Sequence, residues 1–187
     1  LTGIDLQGET GGYLKATTDW YPIDYATVTF GQGIVVTPIQ MITAFSSIIN
    51  DGKLLRPYIV AKAKSKDQEK TAQPQVVRQV ISAKTSATIR KMLVDTVEHG
   101  EVNWAKPKGY AIGGKTGTAQ IAVKGKYDAS KTIASFIGFA PADKPKFVIL
   151  VVLKEPKSSI WGSETAAPLF FDIAKDLLVY YNIPPEE

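Results

Sequence analysis

The residues with the clearest chemical potential form one short segment rich in glycine, lysine and threonine. Residues 113–120 have the sequence Gly-Gly-Lys-Thr-Gly-Thr-Ala-Gln. A lysine ammonium group binds carboxylates or phosphates, threonine hydroxyls form hydrogen bonds, and glycine lets a ligand approach the backbone closely. Three interpretations compete: a phosphate-binding loop, an edge strand that binds a peptide-like substrate, and a plain glycine-rich strand whose side chains face water.

The phosphate-loop interpretation is based on a full match to a known pattern. Residues 109–116 fit G-x-x-x-x-G-K-[ST], in which backbone amides surround phosphate groups. That mechanism requires a buried strand before the loop and a helix N-terminus after it. Residues 103–108 do not have the composition of a buried strand, and the residues after Thr116 alternate as in a strand. The pattern therefore gives nucleotide binding only weak support.

The edge-strand interpretation gives the same segment a role in a serine acyltransferase that uses lysine in place of histidine. Lys115 would supply positive charge for a substrate carboxylate and for the proton network, and the hydroxyls of Thr116 and Thr118 would bind the same carboxylate. Gly117 would let the substrate lie close, and Gln120 could contact the substrate backbone. The N–H of Thr118 would form half of an oxyanion hole, where one donor lowers the barrier by about 3 kcal/mol.

Strand geometry sets a condition on this second interpretation. Successive side chains of a strand point to opposite faces, so Lys115 and Gly117 lie opposite Thr116 and Thr118. Both sets can act together only if the site wraps around the edge of the strand. A Lys-Thr-Gly tripeptide alone is weak support, and by itself it would favour the plain glycine-rich strand.

Capping signals and periodicity predict the elements that must position the segment. Thr37, Pro38 and Gln40 are typical of a helix start, and Gly52 of the stop that follows. Two more helices are expected over about 82–98 and from about 163 to 182, and strands over 54–63, 110–123, 132–139 and 147–153. Turns are expected at 124–126 and 141–145, and loops or short extended pieces over 1–36 and 64–75.

The order of these elements predicts an α/β (α+β) fold in which helices pack against a central antiparallel sheet. The run Phe147–Leu153 is apolar on both faces, so we expect it to be a central strand. The same run is the longest apolar stretch, and its seven residues are too few to cross a bilayer.

Composition excludes several classes of function. The chain has 187 residues and no cysteine, so it contains neither a disulfide nor a zinc–thiolate site. His99 is its one histidine, which excludes a histidine metal cage. Against 18 acidic residues, the 22 Lys and Arg give a net charge of +4, too diffuse to predict nucleic-acid binding.

The stretches around residues 113–120 together resemble the transpeptidase domain of the class B penicillin-binding proteins. They are, in order, residues 2–6 with 8–9, then 30–34, 36–41, 50–52, 113–120 and 134–143, and they extend along essentially the whole chain. The Phe-Gly-Gln-Gly-Ile sequence at 30–34 is most similar to the division and sporulation type. The resemblance implies a penicillin-binding/β-lactamase-like transpeptidase fold that is incomplete here, with residues 1–187 as the C-terminal portion of one domain.

Two of the three signature motifs of this family are missing from the chain. The signature comprises S-x-x-K, S-x-N and K-T-G, and only the last is present, at Lys115-Thr116-Gly117. Tyr180-Tyr181-Asn182 fits a Y-x-N variant, but we interpret it as the end of the last predicted helix. We therefore expect the nucleophilic serine to precede Leu1, and we expect the isolated chain to be inactive.

The resemblance implies a peptidoglycan D,D-transpeptidase that crosslinks stem peptides through a serine acyl-enzyme. Lys115 and Thr118 would be catalytic, and Thr116, Gly117 and Gln120 would bind substrate. The expected partners are D-Ala-D-Ala stem peptides, β-lactams, the remainder of the domain and the cell-division machinery, with no cofactor, metal or nucleic acid. The protein would be extracytoplasmic and anchored in the cytoplasmic membrane. The alternative is a non-catalytic binding or scaffold module of the same fold.

Overall fold

The computed structural model describes residues 1–123 and 126–186, which divide into two compact units. Unit 1 is Leu1–Ser86 and unit 2 is Ala87–Glu187. The helices are α1 (Pro22–Val28), α2 (Pro38–Ile49), α3 (Ala83–His99), within which the boundary between the units falls, and α4 (Ala166–Tyr180). The strands are β1 (Lys53–Leu55), β2 (Lys62–Lys64), β3 (Glu69–Thr71), β4 (Val76–Gln79), β5 (Gly113–Val123), β6 (Lys126–Ala140) and β7 (Phe147–Lys154).

Helix α2 of unit 1 begins as its capping signals predict. The N–H of Gln40 donates to Thr37 Oγ1 at 3.3 Å, and the N–H of Thr37 donates to Gln40 Oε1 at 2.9 Å. These reciprocal bonds satisfy two backbone donors that the first helical turn leaves free. The helix buries Phe45 and Ile49 and ends before Gly52, so the predicted start and stop are both confirmed.

The rest of unit 1 differs from the sequence prediction. The strand expected over 54–63 is wrong in extent, because β1 and β2 are short separate strands that pair antiparallel with β4 and β3. Residues 64–75, expected to be a loop, include β3, and residues 1–36 include α1. The spacing of apolar residues could not predict these elements, because β2, β3 and β4 are exposed along their length and α1 buries no residue.

Unit 2 contains the predicted antiparallel sheet, with strand order β5-β6-β7. Lys115 lies opposite Ile137, and Phe136 opposite Val151. The turn predicted at 124–126 falls largely outside the described residues. The expectation that 147–153 is a central strand is wrong for the described sheet, in which β6 is central. Apolar residues on both faces do not require a neighbouring strand on each side, and in β7 they do not all mark buried positions, since Val152 is 44% exposed.

The core of unit 2 lies between the sheet and α4. The ring of Phe136 on β6 packs against those of Phe170 and Phe171 on α4, with centroids 4.7 and 5.5 Å apart. Glycines leave room for these rings, since a Cβ on Gly138 would lie 2.6 Å from Phe170 Cζ and one on Gly114 would lie 2.5 Å from Phe136 Cζ. The second glycine of the Gly-Gly pair therefore has a packing role.

Helix α4 starts a few residues later than the sequence predicts and ends where expected. It begins at Ala166 rather than near Ser163, and Tyr180 is its last residue, so the Y-x-N sequence is a helix end. Among the described residues, no helix combines the length and the apolar character needed to cross a membrane.

Candidate active site

Strand β5 carries the whole glycine, lysine and threonine segment. The chain continues as a strand through Thr116 to Val123, and no helix begins after Lys115 and Thr116. Phosphate binding by the G-x-x-x-x-G-K-[ST] pattern needs backbone amides at a helix N-terminus. The segment does not have that geometry, so the phosphate-loop interpretation is wrong.

The hydrogen bonding of the sheet fixes which way the backbone of β5 points. The N–H of Glu155 donates to the carbonyl of Thr132 at 2.8 Å, so Thr132 faces β7. The backbone N–H and C=O groups of successive residues point to opposite sides of an antiparallel strand. The backbone groups of Ser135 therefore point toward β5, where Ser135 lies opposite Gly117. Thr116 and Thr118, the neighbours of Gly117, consequently direct their N–H and C=O groups away from β6.

This outward edge of β5 is free of strand pairing within the described sheet, where β5 is the first strand in the order β5-β6-β7. Outward backbone groups on an edge strand can pair with an extended peptide. Gln120 follows Thr116 and Thr118 in the same alternation, and it is the last residue before a register shift between Gln120 and Ile121. The edge therefore offers three alternate residues, Thr116, Thr118 and Gln120, whose backbone groups point outward from an extended strand.

Lys115 reaches around this edge. Its side chain is exposed, and Nζ donates to the carbonyl of Thr116 at 3.1 Å and to Thr116 Oγ1 at 3.3 Å. The ammonium group and the Thr116 hydroxyl thus lie together although their Cβ atoms point to opposite faces. Strand alternation requires the site to wrap around the edge of β5, and Lys115 and Thr116 meet this condition.

Gly117 has a close neighbour on β6 that the sequence did not indicate. A Cβ on Gly117 would lie 2.6 Å from Ser135 Oγ, so the hydroxyl of Ser135 occupies the space that a side chain would need. A larger residue at position 117 would make this hydroxyl rotate away. The glycine is therefore favoured by local packing as well as being suited to a close ligand.

The hydroxyl of Thr118 has a partner from the loop between β7 and α4. The N–H of Gly162 donates to Thr118 Oγ1 at 3.1 Å. The preceding residue, Trp161, is 53% exposed. Nothing in the sequence indicates this contact, because no periodic signal links positions that are 44 residues apart.

Neither a metal cluster nor the described cavity coincides with this edge. Among residues 1–123 and 126–186, no group of three or more His, Asp or Glu residues could hold a metal ion. A cavity of about 450 Å³ in unit 2 lies against α3 and includes Arg90, Asp95 and Asp143 in its lining, but none of the residues 113–120. The candidate site is an open strand edge rather than an enclosed pocket.

Residues 1–175 match the protein family described as penicillin-binding protein transpeptidase domain. The chain belongs to this family. The resemblance inferred from the sequence motifs is thereby confirmed, as is the predicted mixed fold with an antiparallel sheet and packed helices. Membership of this family allows the exposed edge of β5 to be interpreted as part of a transpeptidase domain.

Two curated relatives of this transpeptidase-domain chain illustrate the match. It is 43% identical to stage V sporulation protein D of Bacillus subtilis over 100% of the chain and 29% of that protein. It is 35% identical to the peptidoglycan D,D-transpeptidase FtsI of Buchnera aphidicola over 99% of the chain and 32% of that protein. The chain therefore spans about a third of the length of these relatives.

Solved structures agree in fold. Penicillin-binding protein 3 of Mycobacterium tuberculosis, in complex with ampicillin, is 33% identical with a TM-score of 0.90, over 99% of this chain and 44% of that one. The apo transpeptidase domain of penicillin-binding protein 3 from Burkholderia pseudomallei is 32% identical with a TM-score of 0.84, over 100% of this chain and 55% of that one. Both likenesses cover nearly all of the present chain.

Proposed function

We propose that residues 1–187 are the C-terminal portion of a single transpeptidase domain, and that the complete domain is a peptidoglycan D,D-transpeptidase. The observation that carries the proposal is the outward edge of β5, where Lys115, Thr116 and Thr118 present an ammonium group, hydroxyls and backbone groups that point away from β6. The family match, and relatives whose names include transpeptidase and penicillin-binding protein, support the same reaction.

In this mechanism a stem peptide ending in D-Ala-D-Ala lies along the edge of β5. Lys115 and the hydroxyls of Thr116 and Thr118 bind its terminal carboxylate, and Gln120 contacts the peptide backbone. Gly117 adds no side chain of its own beside Lys115. The outward N–H of Thr118 donates to the oxyanion that forms during attack on the scissile carbonyl, which stabilises the transition state by about 3 kcal/mol.

The nucleophile is a serine outside this chain. It attacks the amide between the two D-alanines, expels the terminal D-Ala and forms an ester with the remaining peptide. The amine of a second stem peptide then attacks that ester, forms the crosslink and releases the serine. A β-lactam carries a carboxylate and a strained amide in a similar arrangement, so it acylates the same serine and the reaction stops at the ester.

The full-length protein would act outside the cytoplasm, anchored in the cytoplasmic membrane. The likeness to stage V sporulation protein D supports a role in sporulation, and the Phe-Gly-Gln-Gly-Ile sequence at 30–34 favours division or sporulation, with the cell-division machinery as a partner. The reaction as written requires no metal and no organic cofactor, since proton transfer and carboxylate binding are carried out by side chains.

Labelling of the full-length protein with a fluorescent penicillin tests the proposal. We expect covalent labelling of the wild type, and we expect Lys115→Ala to lower the second-order labelling rate by about a hundredfold, because a charged hydrogen-bonding partner of the carboxylate is lost. Lys144→Ala is a matched control, since Lys144 is an exposed lysine of the turn between β6 and β7, and it should label at the wild-type rate.

Each outcome of the labelling experiment has a distinct meaning. A wild-type protein that takes no label would contradict the enzyme proposal and favour the non-catalytic scaffold module. Wild-type labelling that Lys115→Ala leaves unchanged would retain a penicillin-binding protein but contradict the assignment of the β5 edge as its carboxylate site.

A further inference from the structure

The loop between β7 and α4 makes a close backbone contact with the Lys-Thr-Gly-Thr segment. Gly162, in this loop, is buried, and its N–H donates to Thr118 Oγ1 at 3.1 Å. Thr118 is one of the residues that the proposed function places on the substrate carboxylate. The contact therefore joins the candidate site to a loop that the three signature motifs do not include.

Gly162 has no room for a side chain. A Cβ at this position would lie 2.6 Å from the carbonyl oxygens of both Gly117 and Ser135, and 3.3 Å from the Ser135 nitrogen. These are backbone atoms of two paired strands, so they cannot move aside as a flexible side chain could. The φ of Gly162 lies outside the left-handed region, so close approach alone accounts for the glycine.

Hydrogen bonds on both sides hold the loop in this position. Before Gly162, the buried hydroxyl of Thr132 donates to the carbonyl of Ile160 at 2.8 Å. After it, the N–H of Ala167 donates to the carbonyl of Gly162 at 2.9 Å, which ties the loop to the start of α4. The donor that reaches Thr118 is thus fixed to β6 and to α4 independently of Thr118 itself.

We propose that Gly162 is a positioning residue that holds the hydroxyl of Thr118 as a hydrogen-bond donor to the substrate carboxylate, an inference that rests on the proposed function. A threonine hydroxyl can donate one hydrogen bond and accept two. Because the N–H of Gly162 occupies one lone pair of Thr118 Oγ1, the hydroxyl proton must point away from the loop. A carboxylate only accepts hydrogen bonds, so a hydroxyl held in this way matches it.

Acylation of the full-length protein by a β-lactam and by the methyl ester of the same β-lactam tests this role. The ratio of the two second-order rate constants measures recognition of the free carboxylate. We expect Gly162→Ala to lower the ratio about tenfold, the effect of losing a hydrogen bond to a charged group, while the rate with the ester changes little. Gly11→Ala is the matched control, because a Cβ at Gly11 meets nothing closer than Leu1 Cδ2 at 4.0 Å.

Substitutions of Thr118 keep the inference testable even if Gly162→Ala does not fold. Thr118→Val removes the acceptor at nearly constant shape, so hydrogen–deuterium exchange at the Gly162 amide should accelerate. Thr118→Ser retains the hydroxyl and should keep the wild-type exchange. In the double variant Gly162→Ala with Thr118→Val, the ratio should fall no further than in either single variant, because both remove the same interaction.

The outcomes separate this inference from the proposed function. A normal wild-type acylation together with an unchanged acid-to-ester ratio in Gly162→Ala would overturn the positioning role and leave the transpeptidase proposal intact. An unchanged exchange rate of the Gly162 amide in Thr118→Val would overturn it as well. A wild-type protein that neither β-lactam form acylates would overturn both proposals.

Discussion

Unit 2 and unit 1 are stabilised by different kinds of contact. The large apolar side chains that are almost completely buried all belong to unit 2, among them Phe136, Phe139, Phe170 and Phe171. Within the described residues of unit 1, the buried hydrophobic side chains are Phe45 and Ile49, each 8% exposed. Unit 2 therefore has a dense aromatic core beneath the candidate site, and unit 1 has a much smaller one.

Unit 1 relies instead on side chains that hydrogen-bond to distant backbone groups. The carboxylate of Asp5 accepts from the N–H groups of Ile59 and Val60 at 2.7 and 2.9 Å. Arg56 Nε donates to the carbonyl of Gly3 at 2.5 Å. Each such bond contributes modestly to stability but fixes the path of the chain, so unit 1 is specified by polar contacts where unit 2 is specified by packing.

The largest expected effect is the loss of an aromatic ring from unit 2. Phe170→Ala removes a fully buried side chain that packs on Phe136 and over Gly138, so we expect it to lower the free energy of unfolding by about 3–5 kcal/mol. Phe45→Ala is the corresponding change in unit 1, and we expect it to lower the free energy of unfolding by less. Urea unfolding of the full-length protein measures both, and a larger loss for Phe45→Ala would contradict the contrast between the units.

The same contrast explains how much of the structure the sequence could predict. Strand β7 and helix α4 of unit 2 follow from apolar residues, such as the run 147–153, that favour packing against another layer. Strands β2 and β3 consist of polar residues such as Lys62 and Glu69, whose pairing gives no apolar signal. Helix α2 is the exception in unit 1, because its capping residues are a local signal.

The sequence indicates which residues form the candidate site but not what surrounds them. Lys115, Thr116, Gly117 and Thr118 could be selected because a contiguous motif carries their chemistry. The contact of Gly162 with Thr118 could not, since it depends on how the loop after β7 folds back over the sheet. A close contact with distant backbone atoms is marked in the sequence only by a glycine, and glycine also occurs at many positions for other reasons.

An intermediate effect is expected at the start of α2, where unit 1 does depend on a local signal. Thr37→Ala removes the side chain that accepts from the Gln40 N–H, and we expect a loss of about 1 kcal/mol. Thr43→Val on the same helix is the matched control: within the described residues, Thr43 Oγ1 is buried without a hydrogen-bond partner, so replacing it should be neutral or stabilising. Urea unfolding compares them, and an equal loss in both would refute the capping assignment.

The smallest expected effect concerns the polar contacts of unit 1 and appears as a dependence on pH. The N–H groups of Ile59 and then Val60 hold the pKa of Asp5 below its ordinary value of 3.8. A carboxyl group whose pKa is lowered by folding contributes stability above the unfolded pKa, and that contribution is lost as the pH falls through the folded pKa. The difference in urea midpoint between wild type and Asp5→Asn should therefore be present at neutral pH and shrink at pH values below 3.8.

Asp67→Asn provides the control for this last measurement, because Asp67 is an exposed aspartate between β2 and β3. Its difference from the wild type is measured at the same pH values for comparison. A difference for Asp5→Asn that does not depend on pH would mean that the two amides bind the carboxyl group no better when it is charged. Interactions other than charge-assisted hydrogen bonds would then determine the path of residues 1–9. The proposed contrast between polar contacts in unit 1 and core packing in unit 2 would be contradicted.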